Sequence, residues 1–316
     1  MPTADLAFSA PATLHEALGE LAGAEDDVIA MGGGTSVGML LKNDLIAPRK
    51  IVWLARIPEL RRLDYRSDSP DADSPDADGP GGGRDPGGEL LIGATVTLRE
   101  LARSEVIRQK FPALAYAASR VGNPRVRAVA TVGGALTHSD ARQDVPPIMY
   151  ALQARVRIQS LRGSREIPVH DFHTGFMETV LAEDELVTQV VIPAVPGRRA
   201  AYGRFTPGSH DDYPTVSAAA SIAADSSGRV TSAVLALGGV GSTPLLVGGA
   251  AGLIGTVPGQ AEVESAAAAA EAAASPHDDQ RGSARYKKAM AREWAARVIR
   301  VCLDPDATAV PDLVVG

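Results

Sequence analysis

Apolar positions recur along this chain at two different periods, and the change from one to the other divides it. Leu14, Ala17, Leu18 and Leu21 keep helical spacing. They follow Thr13-Leu14-His15-Glu16, which places a cap hydroxyl and a carboxylate at capping-box distance. The short apolar run 27–31 predicts a buried strand that ends at Gly32-Gly33-Gly34-Thr35-Ser36, and residues 37–42 predict a short helix. Strands are expected at 50–54, 89–93 and 154–158, and helices at 113–120 and 144–152. Thr97-Leu98-Arg99-Glu100 is a second capping box opening a helix, and Thr131-Val132-Gly133-Gly134 is a second glycine turn. Past Thr179 the pattern turns to strands at 185–192, 201–205, 215–224 and 230–237, with a hairpin turn at Asp225-Ser226-Ser227-Gly228. Helices are expected at 263–274 and 286–303; Met290, Trp294, Val298 and Val301 of the latter read as a core stripe. A domain boundary therefore falls near 177, giving units 1–176 and 177–303 and a tail 304–316. The second unit should be an antiparallel sheet with helices on one side.

One segment breaks the pattern. Residues 67–88 are mostly Asp, Pro, Gly and Ser, with Ser69-Pro70-Asp71-Ala72-Asp73 repeated at once as Ser74-Pro75-Asp76-Ala77-Asp78. So little apolar surface cannot offset the entropy of ordering, so a solvated, disordered insertion is expected. Its aspartates lack the glycine and glutamate of a calcium loop.

A length of 316 residues is ample for two domains, and 45% hydrophobic with 22% charged residues is ordinary for a globular chain. Net charge is −7, without the basic surplus that phosphate neutralisation on nucleic acid requires. No apolar run approaches membrane-spanning length, and the first residues carry neither the basic start nor the apolar core of a secretory signal; a cytoplasmic location is expected. The single Cys302 excludes a disulfide framework, a four-cysteine iron–sulfur cluster and a cysteine zinc site in this chain.

The two glycine turns carry the candidate chemistry. Glycine allows positive φ and close approach to backbone amides, and successive amides opening a helix bind phosphate oxygens. Thr35, Ser36 and Thr131 add hydroxyls, whereas nearby cations are few, chiefly Lys42 and Arg142. A diphosphate would thus be held mainly by amides. Val37 replaces the third glycine of a dinucleotide fingerprint, and no Gly-Lys-Ser/Thr of a P-loop is present. Gly34-Thr35-Ser36-Val37-Gly38 matches a nucleophile elbow, but only one strand precedes it and no oxyanion motif accompanies it. Any one such turn can equally do no more than reverse the chain. His170 and His173 form an H-x-x-H pair with no third ligand beside it, so a loop or strand end is expected rather than a metal site. His15, His210 and His277 read as surface residues, and His138 follows the second turn closely enough to adjoin what that turn binds.

Taken in order, several stretches resemble the FAD-binding medium subunit of the molybdenum hydroxylases, the xanthine dehydrogenase and carbon monoxide dehydrogenase flavoprotein family. They are Gly32–Ser36 with Leu40-Leu41-Lys42, Ile57-Pro58-Glu59-Leu60, Leu91–Thr97, Val121–Arg127, Thr131–Leu136 leading to Asp144 and Pro146, Leu237–Pro244 and Arg281–Tyr286. The resemblance implies an α+β fold: a PCMH-type FAD-binding domain of two α/β subdomains, followed by a smaller C-terminal domain with an antiparallel sheet and helices. By position it implies FAD-diphosphate contacts from Gly32, Gly33, Gly34, Thr35, Ser36, Thr131, Gly133 and Gly134. It places Asp144 at ribityl or ribose hydroxyls, Arg204 where the family often has a lysine near the flavin, and Tyr213 beside the isoalloxazine.

Two departures stand out: Ala135 replaces the asparagine of the usual TIGGN, and Ala128 replaces the asparagine after Arg127. Each lost amide hydrogen bond weakens binding by about 0.5–1.5 kcal/mol. The resemblance further implies an oxidoreductase subunit with non-covalent FAD and with no metal site or catalytic acid–base group of its own. Electrons would come from the [2Fe–2S] clusters of a small subunit, served by a large molybdopterin subunit, and go on to NAD, a quinone or another acceptor. Three other readings stay open: an FAD-free structural subunit of the same heterotrimer, a serine hydrolase using Ser36, and a free-standing flavin oxidase of this fold.

Overall fold

Both capping boxes form. The Thr13 hydroxyl accepts from the Glu16 amide at 3.2 Å while the Glu16 carboxylate accepts from the Thr13 amide, and Thr97 and Glu100 repeat the exchange. They open the helices Leu14–Leu21 and Leu98–Arg103. The computed structural model describes residues 6–23, 28–68 and 87–304, with the backbone alone of 309–310 and 313–315. Within these residues the elements assemble on three main sheets.

The first sheet is parallel, with Lys50–Trp53 between Ala7–Ser9 and Val28–Met31. Ala17, Leu18 and Leu21 of the first helix pack with Val52 and Leu54 to form its core. The second sheet has the order Leu63–Ser67, Gly88–Gly93, Leu186–Ala194, Arg155–Ser160, Gly163–Pro168, antiparallel throughout. Val156 and Ile158 point into a core shared with the helices Pro112–Arg120 and Val145–Ala151. Arg155 and Arg157, on the opposite face, both pair with Glu166 at 2.6 Å. Here the period-two pattern reports directly which side is wet.

The third sheet runs Leu245–Leu246, Val230–Gly238, Val216–Ala224, Arg198–Phe205, Leu313–Val315, Ala309–Val310. Ala218, Ala220 and Ile222 meet a core made with the helices Gln260–Ala273 and Ala284–Leu303, whereas Ala219 faces the core containing Ile148 and Met149. Val216–Ala224 is thus covered on both sides, which is why it reads as small residues without alternation. Trp294 lies in the helix-covered core, as its spacing predicts. The Asp225 turn closes with Gly228 donating to the Asp225 carbonyl at 3.0 Å and at φ +79°.

Two boundaries differ from expectation. The strand expected at 185–192 does not begin the second domain: Leu186–Ala194 is the middle strand of the second sheet, paired with both Gly88–Gly93 and Arg155–Ser160. The change of sheet therefore falls at 195–197 and not near 177. The expected tail also joins the third sheet, Leu313–Val315 pairing antiparallel with Ala201–Gly203. Both errors have one cause, since β-pairing partners are distant in sequence. Of the expected insertion 67–88, Ser67 and Gly88 pair with each other at the strand ends, and 69–86 lies outside the described residues.

Candidate functional site

The strand Val28–Met31 delivers Gly32-Gly33-Gly34 to the helix Thr35–Lys42, and the two glycine turns meet face to face. A Cβ on Gly32 would lie 2.5 Å from the Thr131 hydroxyl, and one on Gly33 only 1.6 Å from the Val129 carbonyl oxygen. Only glycine permits this approach. Gly34 caps the helix at φ +77°, and the Trp53 indole N–H holds the Gly32 carbonyl at 3.0 Å.

The turns differ in what they leave available. Val132 donates to the Val96 carbonyl at 3.0 Å and Gly133 to the Ala94 carbonyl at 2.8 Å. Gly134 donates to the Thr131 hydroxyl at 3.2 Å, and Ala135 to the Thr131 carbonyl at 2.9 Å. The second turn has spent its amides within the chain. It offers chiefly the buried Thr131 hydroxyl, whose oxygen accepts from Gly134 and whose proton is left to donate. The first turn is open: no side chain caps the helix Thr35–Lys42, and among the described residues the amides of Thr35, Ser36 and Val37 meet no acceptor.

Both turns border one cleft of about 640 Å³. Gly32, Gly33, Gly34, Thr35, Ser36, Thr131, Gly133, Gly134, Asp144 and Tyr213 all line it, as do Ala135 and His138. Leu181, Ala182, Glu183, Glu185, Leu186, Val187 and Met177 form a further wall that no polar motif in the sequence announces; Met177 has a positive φ of 59°. No Lys or Arg is among the lining residues. Arg142 stacks over the Tyr213 ring at 5.4 Å, with its guanidinium on Asp140 at 2.7 Å, and Lys42 is exposed outside.

Arg204 is not among the residues that line the cleft. It is 2% exposed and lies behind the wall. Its Nη1 is 3.0 Å from Asp144 Oδ1 and donates to the Arg120 carbonyl at 2.6 Å, while Nη2 donates to the Asp212 carbonyl. The Tyr202 hydroxyl donates to Asp144 Oδ1 at 2.6 Å. Burial pushes the Asp144 carboxyl up to about 6 against the pull of Arg204 and Tyr202. Burial likewise lowers His138.

The H-x-x-H pair separates. His173 is buried, with Nε2 3.1 Å from the Leu136 carbonyl and Nδ1 2.9 Å from the Tyr150 hydroxyl; His170 stands 3.6 Å from Asp171 at the surface. Since a carbonyl only accepts, Nε2 carries the proton and Nδ1 accepts from Tyr150. His15, His210 and His277 are exposed as expected. No group of His, Cys, Asp and Glu among the described residues could hold a metal ion. Ser36 has no hydrogen bond to a histidine among the described residues. Ala135 lines the cleft, so its missing amide is lost from the wall itself; Ala128 does not.

The described residues thus pack as three buried clusters around three main sheets, with one cleft between the glycine turns. The family profile for the FAD binding domain in molybdopterin dehydrogenase matches residues 82–195, and that for the CO dehydrogenase flavoprotein C-terminal domain matches 201–301. The gap between them coincides with the change of sheet. The alpha subunit of the 6-hydroxypseudooxynicotine dehydrogenase complex of Paenarthrobacter nicotinovorans is 30% identical over 92% of both chains. The carbon monoxide dehydrogenase medium chain of Hydrogenophaga pseudoflava is 29% identical over 92% of this chain and 95% of its own. A solved carbon monoxide dehydrogenase from that organism superposes with a TM-score of 0.85 at 28% identity, covering 96% of this chain and 98% of that one. A chain of quinoline 2-oxidoreductase from Pseudomonas putida 86 gives 0.83 at 27% identity, covering 97% and 100%. The chain belongs to the FAD-binding medium subunits of the molybdenum hydroxylase family, a family of oxidoreductase subunits.

Proposed function

We propose that this chain holds FAD in the cleft and relays electrons from the [2Fe–2S] clusters of a small partner subunit to an external acceptor, NAD or a quinone. A large molybdopterin subunit would oxidise the organic substrate. The observation that carries the reading is the open helix N-terminus facing the cleft beside a glycine turn. Its uncommitted amides at Thr35, Ser36 and Val37 suit a diphosphate, which a helix N-terminus stabilises through oriented N–H groups and the helix dipole. The cleft's size, about 640 Å³, lies within the ordinary range of about 300–1,000 Å³ for cofactor sites.

Gly32, Gly33 and Gly34 give the approach, Thr35 and Ser36 the amides, and Thr131 a hydroxyl. Gly133 and Gly134 shape the wall instead of donating. Asp144 is assigned to the hydroxyls of the linking chain and Tyr213 to a face of the ring system. When bound, FAD supplies the redox chemistry, and the protein contributes position and exclusion of water. The lone, fully buried Cys302 is consistent with clusters carried by another chain.

A second reading, an FAD-free structural subunit, is favoured by Ala135 in the cleft wall and the lack of a lining cation. Titrating the purified chain with FAD decides between them. Flavin absorbance retained through gel filtration, with one FAD per chain, supports the cofactor reading. No binding at 100 µM FAD (a chosen ceiling, about −5.5 kcal/mol) overturns it and leaves the structural subunit.

A further inference from the structure

Loop 206–214 carries Asp211, Asp212 and Tyr213 to the cleft, yet residues 207–212 are exposed and have little apolar burial to hold them. Polar ties hold it instead. The base closes where Thr215 donates to the Phe205 carbonyl at 2.8 Å. Further out, the Asp212 carboxylate accepts from Arg281 at 2.6 Å and from the Tyr213 amide at 2.7 Å. From the rear, Arg204 reaches the Asp212 carbonyl. The same guanidinium grips the last carbonyl of the helix Pro112–Arg120, and it pairs with Asp144 at the start of the helix Val145–Ala151. Its Nη1 and Nη2 make all three of these contacts, while its buried Nε has no hydrogen-bond partner among the described residues.

We propose that Arg204 is a positioning residue: it joins both domains behind the cleft and fixes loop 206–214 so that Tyr213 stands where it can pack on the cofactor. This rests on the FAD reading for its ligand but not for its mechanics. Arginine suits the task because a planar fork can satisfy three acceptors lying in different directions, whereas the ammonium of lysine is a compact point charge. Asp144 is the counter-ion that holds the fork, and Tyr202 orients Asp144.

Arg204→Lys in the full chain is the test, because it keeps a cation against buried Asp144 and so avoids stranding that carboxylate. Without FAD, endoproteinase Asp-N cleavage of the His210–Asp211 bond should accelerate about tenfold, because cleavage tracks the open population of the loop, while cleavage elsewhere stays unchanged. Arg281→Ala, which cuts only the outer tie, should give a smaller increase. With FAD bound, Arg204→Lys should raise flavin emission as Tyr213→Ala does, since a stacked tyrosine quenches it. The double variant should then add nothing further. Wild-type cleavage rates in Arg204→Lys, or emission changes that sum, would overturn the proposal. If the wild type binds no FAD, the cofactor reading fails while the cleavage rates still decide the role of Arg204. If Arg204→Lys loses its cooperative unfolding transition, Arg281→Ala decides: faster Asp-N cleavage of the His210–Asp211 bond supports polar anchoring of the loop, and an unchanged rate overturns it.

Discussion

Asp144 and His173 are both buried, and they give stability opposite dependences on pH. The Asp144 carboxyl is raised from its ordinary value of 3.8 to about 6 by burial, so the folded chain holds that proton more tightly than the unfolded chain does. Its contribution is therefore fullest below pH 3.8 and is lost as pH rises through 6. The unfolding free energy of the wild type minus that of Asp144→Asn should fall across pH 4–6 and then level off, as urea melts would show. His173 is lowered from 6.5 to about 4 because burial disfavours its charged form. Its contribution is complete above pH 6.5 and lost as pH falls toward 4. Wild type minus His173→Gln should accordingly fall on acidification. Gly33 is the steric counterpart: a methyl there meets the Val129 carbonyl at 1.6 Å. Gly33→Ala should cost about 1–3 kcal/mol in melts, by overpacking, and should lower FAD occupancy.

Among the elements, the two glycine turns look alike in sequence but differ in function. Thr131-Val132-Gly133-Gly134 is stitched to Ala94 and Val96, and among the two turns the uncommitted amides are those of Thr35, Ser36 and Val37. Nothing in the second motif reports where the Val132 and Gly133 amides go, because their acceptors, the Val96 and Ala94 carbonyls, stand 36 and 39 residues earlier. Local features were legible. Both capping boxes, the Asp225 hairpin and the Trp294 stripe could be read because each depends on residues within a few positions of one another. Ten of the eleven residues assigned to the cofactor line the cleft, and the exception, Arg204, is a long side chain whose direction no spacing encodes. The part that Leu181, Glu183 and Leu186 play in the cleft wall was not legible, because ordinary apolar and acidic residues carry no ligand signal. Thr131→Val should lose both a helix cap and a hydroxyl, costing about 1 kcal/mol in stability and weakening FAD roughly tenfold or less. Ser36→Ala should leave FAD binding within about threefold, because its amide is the donor. Neither wild type nor variant should be labelled by a serine-directed phosphonate.

For the whole molecule, the described residues contain no helix long and apolar enough to cross a membrane. Coexpressed with chains encoding a large molybdopterin subunit and a small eight-cysteine subunit from its own genomic neighbourhood, the protein should elute with both in a single complex on gel filtration. Turnover of an organic substrate by this chain alone with FAD would instead support the free-standing oxidase. Leu186–Ala194 has one further consequence. It is the last strand of the second sheet to leave the ribosome, yet it occupies the centre of that sheet. Until it emerges, Gly88–Gly93 and Arg155–Ser160 each present an unsatisfied edge to the cell. A fragment cut at 176 should therefore precipitate during synthesis, whereas one cut at 196 keeps its central strand.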